Sequence, residues 1–271
     1  MASWLDARAH GGRWLVRIED VDSARSDPAH AAGILATLEA AGLTWDGPVW
    51  YQSQRAAAYE AALAELTRRG LVYPCTCTRR ELAAADGPDG EPVYPGHCRA
   101  GVGHPGRAAG LRFRVPPGTV RVRDRLQGTQ SQNVAVAAGD FLLRRRDGDY
   151  AYQLAVVVDD AAQAITDVVR GADLWTQTPR QRLLQRSLDL PAPRYLHVPL
   201  VVEPDGAKLS KSRRAVAVRG ADGAVLTWVL RSLGLDPPPE LGGAPPVELL
   251  HWAVQQWDPA AGGREAVPAP P

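Results

Sequence analysis

The sequence predicts an α/β fold with a partly parallel sheet, an insertion in its middle and a short helical part at its end. Three observations lead there. Strand-like and helix-like segments alternate at short spacing over residues 1–73. A Gly- and Pro-rich block over 74–149 has no sustained period, and buried-looking apolar runs resume over 150–218. Residues 219–271 then hold two helical patterns and a tail rich in Pro and Gly. Such alternation is what a sheet covered by crossover helices requires.

Taken in order, SWLDARAH reads as the end of a helix closed by Gly11-Gly12. RWLVRIED is branched and aromatic enough for a strand ending near Glu19. In SDPAHAAGILATLEAAG, Asp27 is placed to cap a helix, Pro28 suits its first position, and Gly42 lies just past its end. Ser53 is expected to cap a second helix over 54–69, stopped by Gly70. A short helix is expected at 79–85, followed by antiparallel strands in LRFRVP, TVRVRDRL and FLLRRRDGDYAY. AYQLAVVVDD reads as a buried strand with Tyr152 at one end and Asp159-Asp160 at the other. A Gln- and Arg-rich helix follows over 179–187, then a short apolar run, RYLHVPLVV, and a turn, EPDG. Helices are expected at 224–233 and 246–256, and GGREAVPAPP is read as a disordered tail.

Composition narrows the function classes. At 271 residues the chain can bury a substantial core, and a formal net charge of +1 excludes a polybasic tail that grips nucleic acid by bulk charge. No segment approaches the ~20 apolar residues of a membrane span, and MASWLDARAHGG lacks the pattern of a secretory signal. Three cysteines, an odd number, argue against a disulfide framework and fit a reducing, cytoplasmic setting.

All three cysteines, Cys75, Cys77 and Cys98, fall in the turn-rich block, where no local core would call for them. A metal clip is the better reading, and zinc is the expected ion because thiolates suit it and structural sites take four ligands. On the residues alone the fourth ligand stays open among His97, His104 and Tyr94. Glu19, in RIEDVD, sits at a strand's carboxyl end, where α/β sheets bind ligands. Arg170 follows Tyr152 by 18 residues and offers a carboxylate a bidentate fork. Taken singly, Tyr152 reads as core and Arg170 as a surface ion pair; their combination points to an acidic amino acid. Finally, KLSKS holds Lys208 and Lys211, the only two lysines beside 29 arginines. Two compact ammonium groups on a loop suit a polyphosphate whose charge shifts during reaction.

As an ordered set, RIEDVD, YQSQR with GLVYPCTC, AYQLAVVVDD with VVRGADL, and KLSKS resemble the glutamyl branch of class I aminoacyl-tRNA synthetases over residues 3–212. Only 59 residues follow Ser212, too few for an anticodon-binding domain, so the chain resembles the branch's short, glutamyl-queuosine-forming members. That resemblance implies a Rossmann-like class I catalytic core with a zinc-containing insertion. It implies activation of L-glutamate by ATP with Mg2+, without tRNA, and transfer to queuosine in the anticodon stem-loop of tRNA(Asp), by a monomer. It moves the fourth zinc ligand to Tyr94, implies glutamate binding by Glu19, Tyr152 and Arg170, and makes Lys211 the ATP-contacting lysine, with Lys208 in support. Two alternatives stay open: a fragment of a glutamyl-tRNA synthetase, and a non-catalytic zinc-containing RNA-binding protein. The family also opens with a strand and a HIGH-type signature, whereas this sequence starts inside the helix that follows them. A polypeptide beginning at Met1 is therefore expected to have lost most adenylate formation. Robust glutamate-dependent ATP–pyrophosphate exchange would contradict that expectation.

Overall fold

Helix ends come first, because local chemistry sets them. The computed structural model describes residues 1–22, 26–82, 93–203, 205–206, 208–209 and 223–269. Helix α1 (Ala2–Ala9) stops at Gly11, whose φ of +63° favours glycine. Strand β1 (Arg17–Ile18) is shorter than RWLVRIED suggests. Its pairing is confined to a parallel register with β2, Arg17 opposite Trp50, and upstream the chain is held by the Asp46 N–H on the Trp14 carbonyl. Helix α2 (Pro28–Ala40) begins as expected: the Asp27 carboxylate accepts the Ala29 N–H at 2.8 Å, and Gly42 takes φ +73° beyond its end.

After β2 (Trp50–Tyr51), Ser53 does not cap a helix. Its N–H and hydroxyl both donate to the Asp20 carboxylate, at 2.8 and 2.7 Å, and residues Gln52–Arg55 form a 3-10 turn. Helix α3 (Ala56–Arg68) starts beyond that turn and buries Tyr59, Leu63 and Leu66, spaced to share one face. Strands β3 (Val72–Cys75), β4 (Gly110–Phe113) and β7 (Leu142–Arg144) form an antiparallel sheet with β4 central. Between them lie α4 (Arg79–Leu82), the hairpin β5 (Val120–Asp124) and β6 (Gly128–Gln132), and α5 (Val134–Ala137).

The run AYQLAVVVDD is not a strand. It forms α6 (Tyr152–Ala162), with Leu154, Ala155, Val157 and Asp159 all buried. A short apolar run looks the same to periodicity in a buried strand and a buried helix; packing against α3 and α7 decides it. Strand β8 (Asp167–Gly171), helix α7 (Thr178–Ser187) and strand β9 (Arg194–Val198) make a parallel βαβ unit. Together with the hairpin they give a four-stranded sheet in the order β6-β5-β9-β8. One core joins α3, α6, α7 and the sheets through Tyr59, Phe113, Leu143, Leu154 and Leu184. A second packs Trp4 and Leu5 of α1 against Leu226 and Leu230 of α8 (Gly223–Ser232) and Leu249 of α9 (Pro246–Gln256). Where the sequence reads as a disordered tail, β11 (Val267–Pro268) pairs in parallel with β10 (Val201–Val202); the Val267 N–H donates to the Leu200 carbonyl at 2.8 Å.

Asp159 ties α6 to α3. Fully buried, its carboxylate accepts from Gln52 Nε2 at 3.0 Å, Arg55 Nε at 2.9 Å and the Tyr59 hydroxyl at 2.6 Å. Burial and then the adjacent carboxylate push the Tyr59 phenol well above its ordinary value. Asp159→Ala would strand three donors, and we expect a loss of about 3–5 kcal/mol, a fall in Tm of roughly 6–12 °C. Thermal unfolding followed by circular dichroism measures it; a change below about 1 kcal/mol would contradict this reading of the junction.

Candidate active site and cysteine cluster

Arg170 stands near the carboxyl end of β8, and the backbone turns away directly after it. A Cβ on Gly171 would meet Asp173 Oδ1 at 2.6 Å, so any larger residue there would have to push the Asp173 side chain aside. The Arg170 guanidinium is held on most sides. Its Nη2 donates to Thr178 Oγ1 at 2.9 Å and Gln181 Oε1 at 2.8 Å, both from α7, and its Nε donates to His197 Nε2 at 3.0 Å from β9. Nη1 is the least engaged nitrogen, 3.4 Å from the Tyr152 hydroxyl in the first turn of α6. A cation with one loosely held donor beside a phenol can receive a carboxylate.

Glu19 approaches from β1. Arg17 Nη2 reaches Glu19 Oε1 at 3.3 Å and Asp160 Oδ1 at 2.9 Å, and its Nη1 donates to Gln163 Oε1 at 2.8 Å. Burial raises the Asp160 pKa, with Arg17 opposing that shift. The Tyr152 phenol is likewise raised, chiefly by burial; Arg170 opposes this, and Glu19 and Asp160 add to it. Tyr152 thus lies near both Glu19 and Arg170. A carboxylate and a guanidinium that both approach one phenol suit a zwitterion with an ammonium at one end and a carboxylate at the other. A cleft of about 650 Å³ opens between β1 and β8, lined among others by His10, Arg17, Glu19, Asp160 and Arg194; Tyr152 and Arg170 do not line it.

Of the two lysines, Lys208 pairs with Asp173, just beyond Arg170, and its backbone bridges to Val202. This sets the start of the KLSKS loop beside the carboxyl end of β8. Lys211 lies outside the described residues.

Several neighbours escape a reading of the sequence. Arg17, Asp160, Thr178, Gln181 and His197 touch the predicted residues or one another; Arg17 and Asp160 stand within RIEDVD and AYQLAVVVDD, but Thr178, Gln181 and His197 lie outside the motifs. Asp159 and Asp160 were expected together at a strand end. On a helix, successive residues diverge by about 100°, so Asp159 faces Tyr59 of α3 and Asp160 faces Arg17. His197 carried one usable signal, a polar ring inside the apolar run RYLHVPLVV, which must find a partner if buried.

The cysteines do converge. Cys75, Cys77 and Cys98 place their sulfurs within 4.8 Å of one another, the only such metal-capable group among the described residues. The Tyr94 hydroxyl lies 3.5 Å from Cys75 Sγ and 4.0 Å from Cys77 Sγ, and accepts the Cys98 N–H at 2.8 Å. His97 is exposed, and His104 turns its Nε2 to Glu81 at 3.3 Å. Burial alone would raise the Cys98 thiol, but N–H donors of Gly103 and Thr76, with help from Cys77 and Thr76 side chains, bring it down to about 6. Burial, then Cys98 and Cys75, push Cys77 up to about 12. Three converging sulfurs fit a thiophilic metal.

The chain is similar to known proteins in sequence and in fold. A family model described as the catalytic domain of class I tRNA synthetases (E and Q) matches residues 1–228. A relative from Ectopseudomonas mendocina, named glutamyl-Q tRNA(Asp) synthetase, is 51% identical over 95% of this chain and 86% of its own length. One of the same name from Thiobacillus denitrificans is 54% identical over the same shares. The solved glutamate-tRNA synthetase from Elizabethkingia anophelis superposes with a TM-score of 0.78 at 21% identity, which shows the fold. The chain spans 99% of its own length there but 63% of that structure's. No helix among the described residues is long and apolar enough to cross a membrane.

Proposed function

Because the chain belongs to the class I tRNA synthetase family for E and Q, a family of ligases, we propose that it activates L-glutamate with ATP and transfers it to queuosine in tRNA(Asp). The observation that carries this reading is the loosely held Nη1 of Arg170 beside Tyr152, in a chain half identical to proteins named for that reaction. In this reading Arg170 Nη1 and the Tyr152 hydroxyl hold a glutamate carboxylate, and Glu19 receives the α-ammonium. No side chain need act as nucleophile. The substrate's α-carboxylate oxygen attacks the α-phosphorus of ATP in line, the bond to the bridging oxygen breaks, and pyrophosphate leaves. Catalysis then consists of positioning and of countering charge that develops on phosphate oxygens. Lys208 and Lys211 are the proposed cations for that charge, with ATP arriving as its Mg2+ complex.

We assign a structural zinc ion to Cys75, Cys77, Cys98 and Tyr94, where the donor set suits it. Zinc there would tie β3 to the segment around Cys98 and takes no part in the chemical step.

The test compares ATP-dependent transfer of labelled L-glutamate to tRNA(Asp) carrying queuosine with transfer to the same tRNA carrying guanosine. A preference for the queuosine form of at least about a hundredfold is expected, since a site built around a substrate's polar groups rejects analogues lacking them. Equal transfer to both forms, or preferential charging of tRNA(Glu), would overturn the assignment and favour a glutamyl-tRNA synthetase fragment.

A further inference from the structure

Behind Arg170 lies a buried hydrogen-bonded relay that the proposed chemistry does not use. His197 and Asp124 are both fully shielded at their side chains, and His197 Nδ1 lies 2.7 Å from Asp124 Oδ2. Asp124 is otherwise saturated by backbone: Oδ1 accepts the N–H groups of Leu126 at 2.8 Å and Gln127 at 2.7 Å, and Oδ2 accepts the His197 N–H at 3.0 Å. A carboxylate held by that many donors keeps its charge, and burial alone would act the other way. It has only acceptors to offer, so His197 Nδ1 must carry the proton. The opposite nitrogen, Nε2, is then a lone pair, and it accepts Arg170 Nε–H at 3.0 Å. Thr178 Oγ1 lies 3.2 Å from the same nitrogen and receives Arg170 Nη2. The ring itself cannot swing, being packed between Trp175 and Tyr195 at centroid distances of 5.0 and 6.0 Å.

We infer that Asp124 and His197 are positioning residues: Asp124 sets the His197 tautomer, and His197 Nε2 fixes the Arg170 guanidinium so that Nη1 faces the amino-acid substrate. The inference rests on the reading of Arg170 as a substrate-carboxylate ligand. The geometry gives that reading something it otherwise lacks, a reason why the fork stays aimed without substrate. A protonated Nε2 would present a donor to a donor and release the arginine. A neutral ring with its proton on Nδ1 is the one form compatible with both neighbours.

Two measurements on the full chain test it. The first is binding of L-glutamate by titration calorimetry to the unaltered protein, His197→Leu, His197→Gln, Arg170→Ala and the double variant His197→Leu/Arg170→Ala. Loss of one buried, charge-assisted hydrogen bond should weaken binding about tenfold in His197→Leu. His197→Gln, whose Oε1 can accept from Arg170 Nε, should stay within about threefold. In the Arg170→Ala background, His197→Leu should add nothing, because its effect passes through the arginine. Normal affinity in His197→Leu with weakened binding in Arg170→Ala would overturn the relay and leave the Arg170 reading standing. Normal affinity in Arg170→Ala would remove that reading and the inference with it. The second measurement needs no variant to fold: nitrogen-15 NMR of the histidine side chains should show His197 protonated at Nδ1 and bare at Nε2. An Nε2-protonated ring would overturn the relay directly.

Discussion

Arg170→Ala weakens L-glutamate binding by about a hundredfold, and Tyr152→Phe by no more than about tenfold. The larger effect follows from charge. A hydrogen bond to an ionised partner contributes about 1.5–3 kcal/mol, and a carboxylate facing Nη1 also loses the attraction of the guanidinium. Together these give roughly 2.5–3 kcal/mol, which is about two decades in Kd. Tyr152 offers a neutral hydroxyl 3.4 Å from the same nitrogen, so its removal costs one ordinary hydrogen bond. Arg170→Lys should fall nearer to alanine than to arginine. A lysine ammonium cannot serve Thr178, Gln181, His197 and a ligand from one rigid plane. Calorimetric titration reads all three, with thermal unfolding alongside to separate lost binding from lost fold. Binding within about threefold of the unaltered protein in Arg170→Ala would remove Arg170 from the substrate site.

Cys98→Ser abolishes stoichiometric zinc, and chelation of the unaltered protein lowers its Tm by about 10 °C or more. The segment around Cys98 meets the end of β3 through the three sulfurs, Tyr94 and Thr76, so a shared ion would add a strong tie at that junction. Structural zinc contributes folding energy outright, about 10–16 kcal/mol in small zinc domains, though a large core reduces the global share. The pH dependence has a definite sign. In the metal-free cluster Cys98, brought down to about 6, is already ionised at pH 7, whereas Cys77, pushed up to about 12, keeps its proton. Zinc must expel that proton, and any still held by the other ligands, so affinity rises at least about tenfold per pH unit across pH 7–8. Below about pH 6 Cys98 protonates as well, and the dependence steepens. Competition against a zinc-responsive chelator at stepped pH measures this. Protein that stays metal-free after zinc addition, yet unfolds at an unchanged temperature, would dismiss the zinc assignment.

Where local chemistry is sufficient, the sequence was a good guide. Asp27 caps α2 and Pro28 begins it because an acceptor and a fixed φ are needed there whatever lies elsewhere in the chain. Gly42 and Gly70 end α2 and α3 at positive φ for the same kind of reason. Ser53 had the right side chain for a cap but met a stronger partner 33 residues away, the Asp20 carboxylate. Likewise AYQLAVVVDD offered apolar residues without a period, and only its burial between α3 and α7 made it helical.

The sequence alone determined the chemical inventory. It showed every cysteine confined to one turn-rich block, lysine reserved for KLSKS, an arginine and a tyrosine 18 residues apart, and an acidic run after the first strand. Residue type and local spacing carry that information directly. The tertiary structure decided which groups meet: Asp159 taken by α3 and Asp160 by Arg17, and Arg170 braced by α7 and by a histidine on the neighbouring strand. Those pairings span from 8 to 143 residues of chain. They arise because polar groups carried into a closely packed interior must find partners there, and packing selects which ones are within reach.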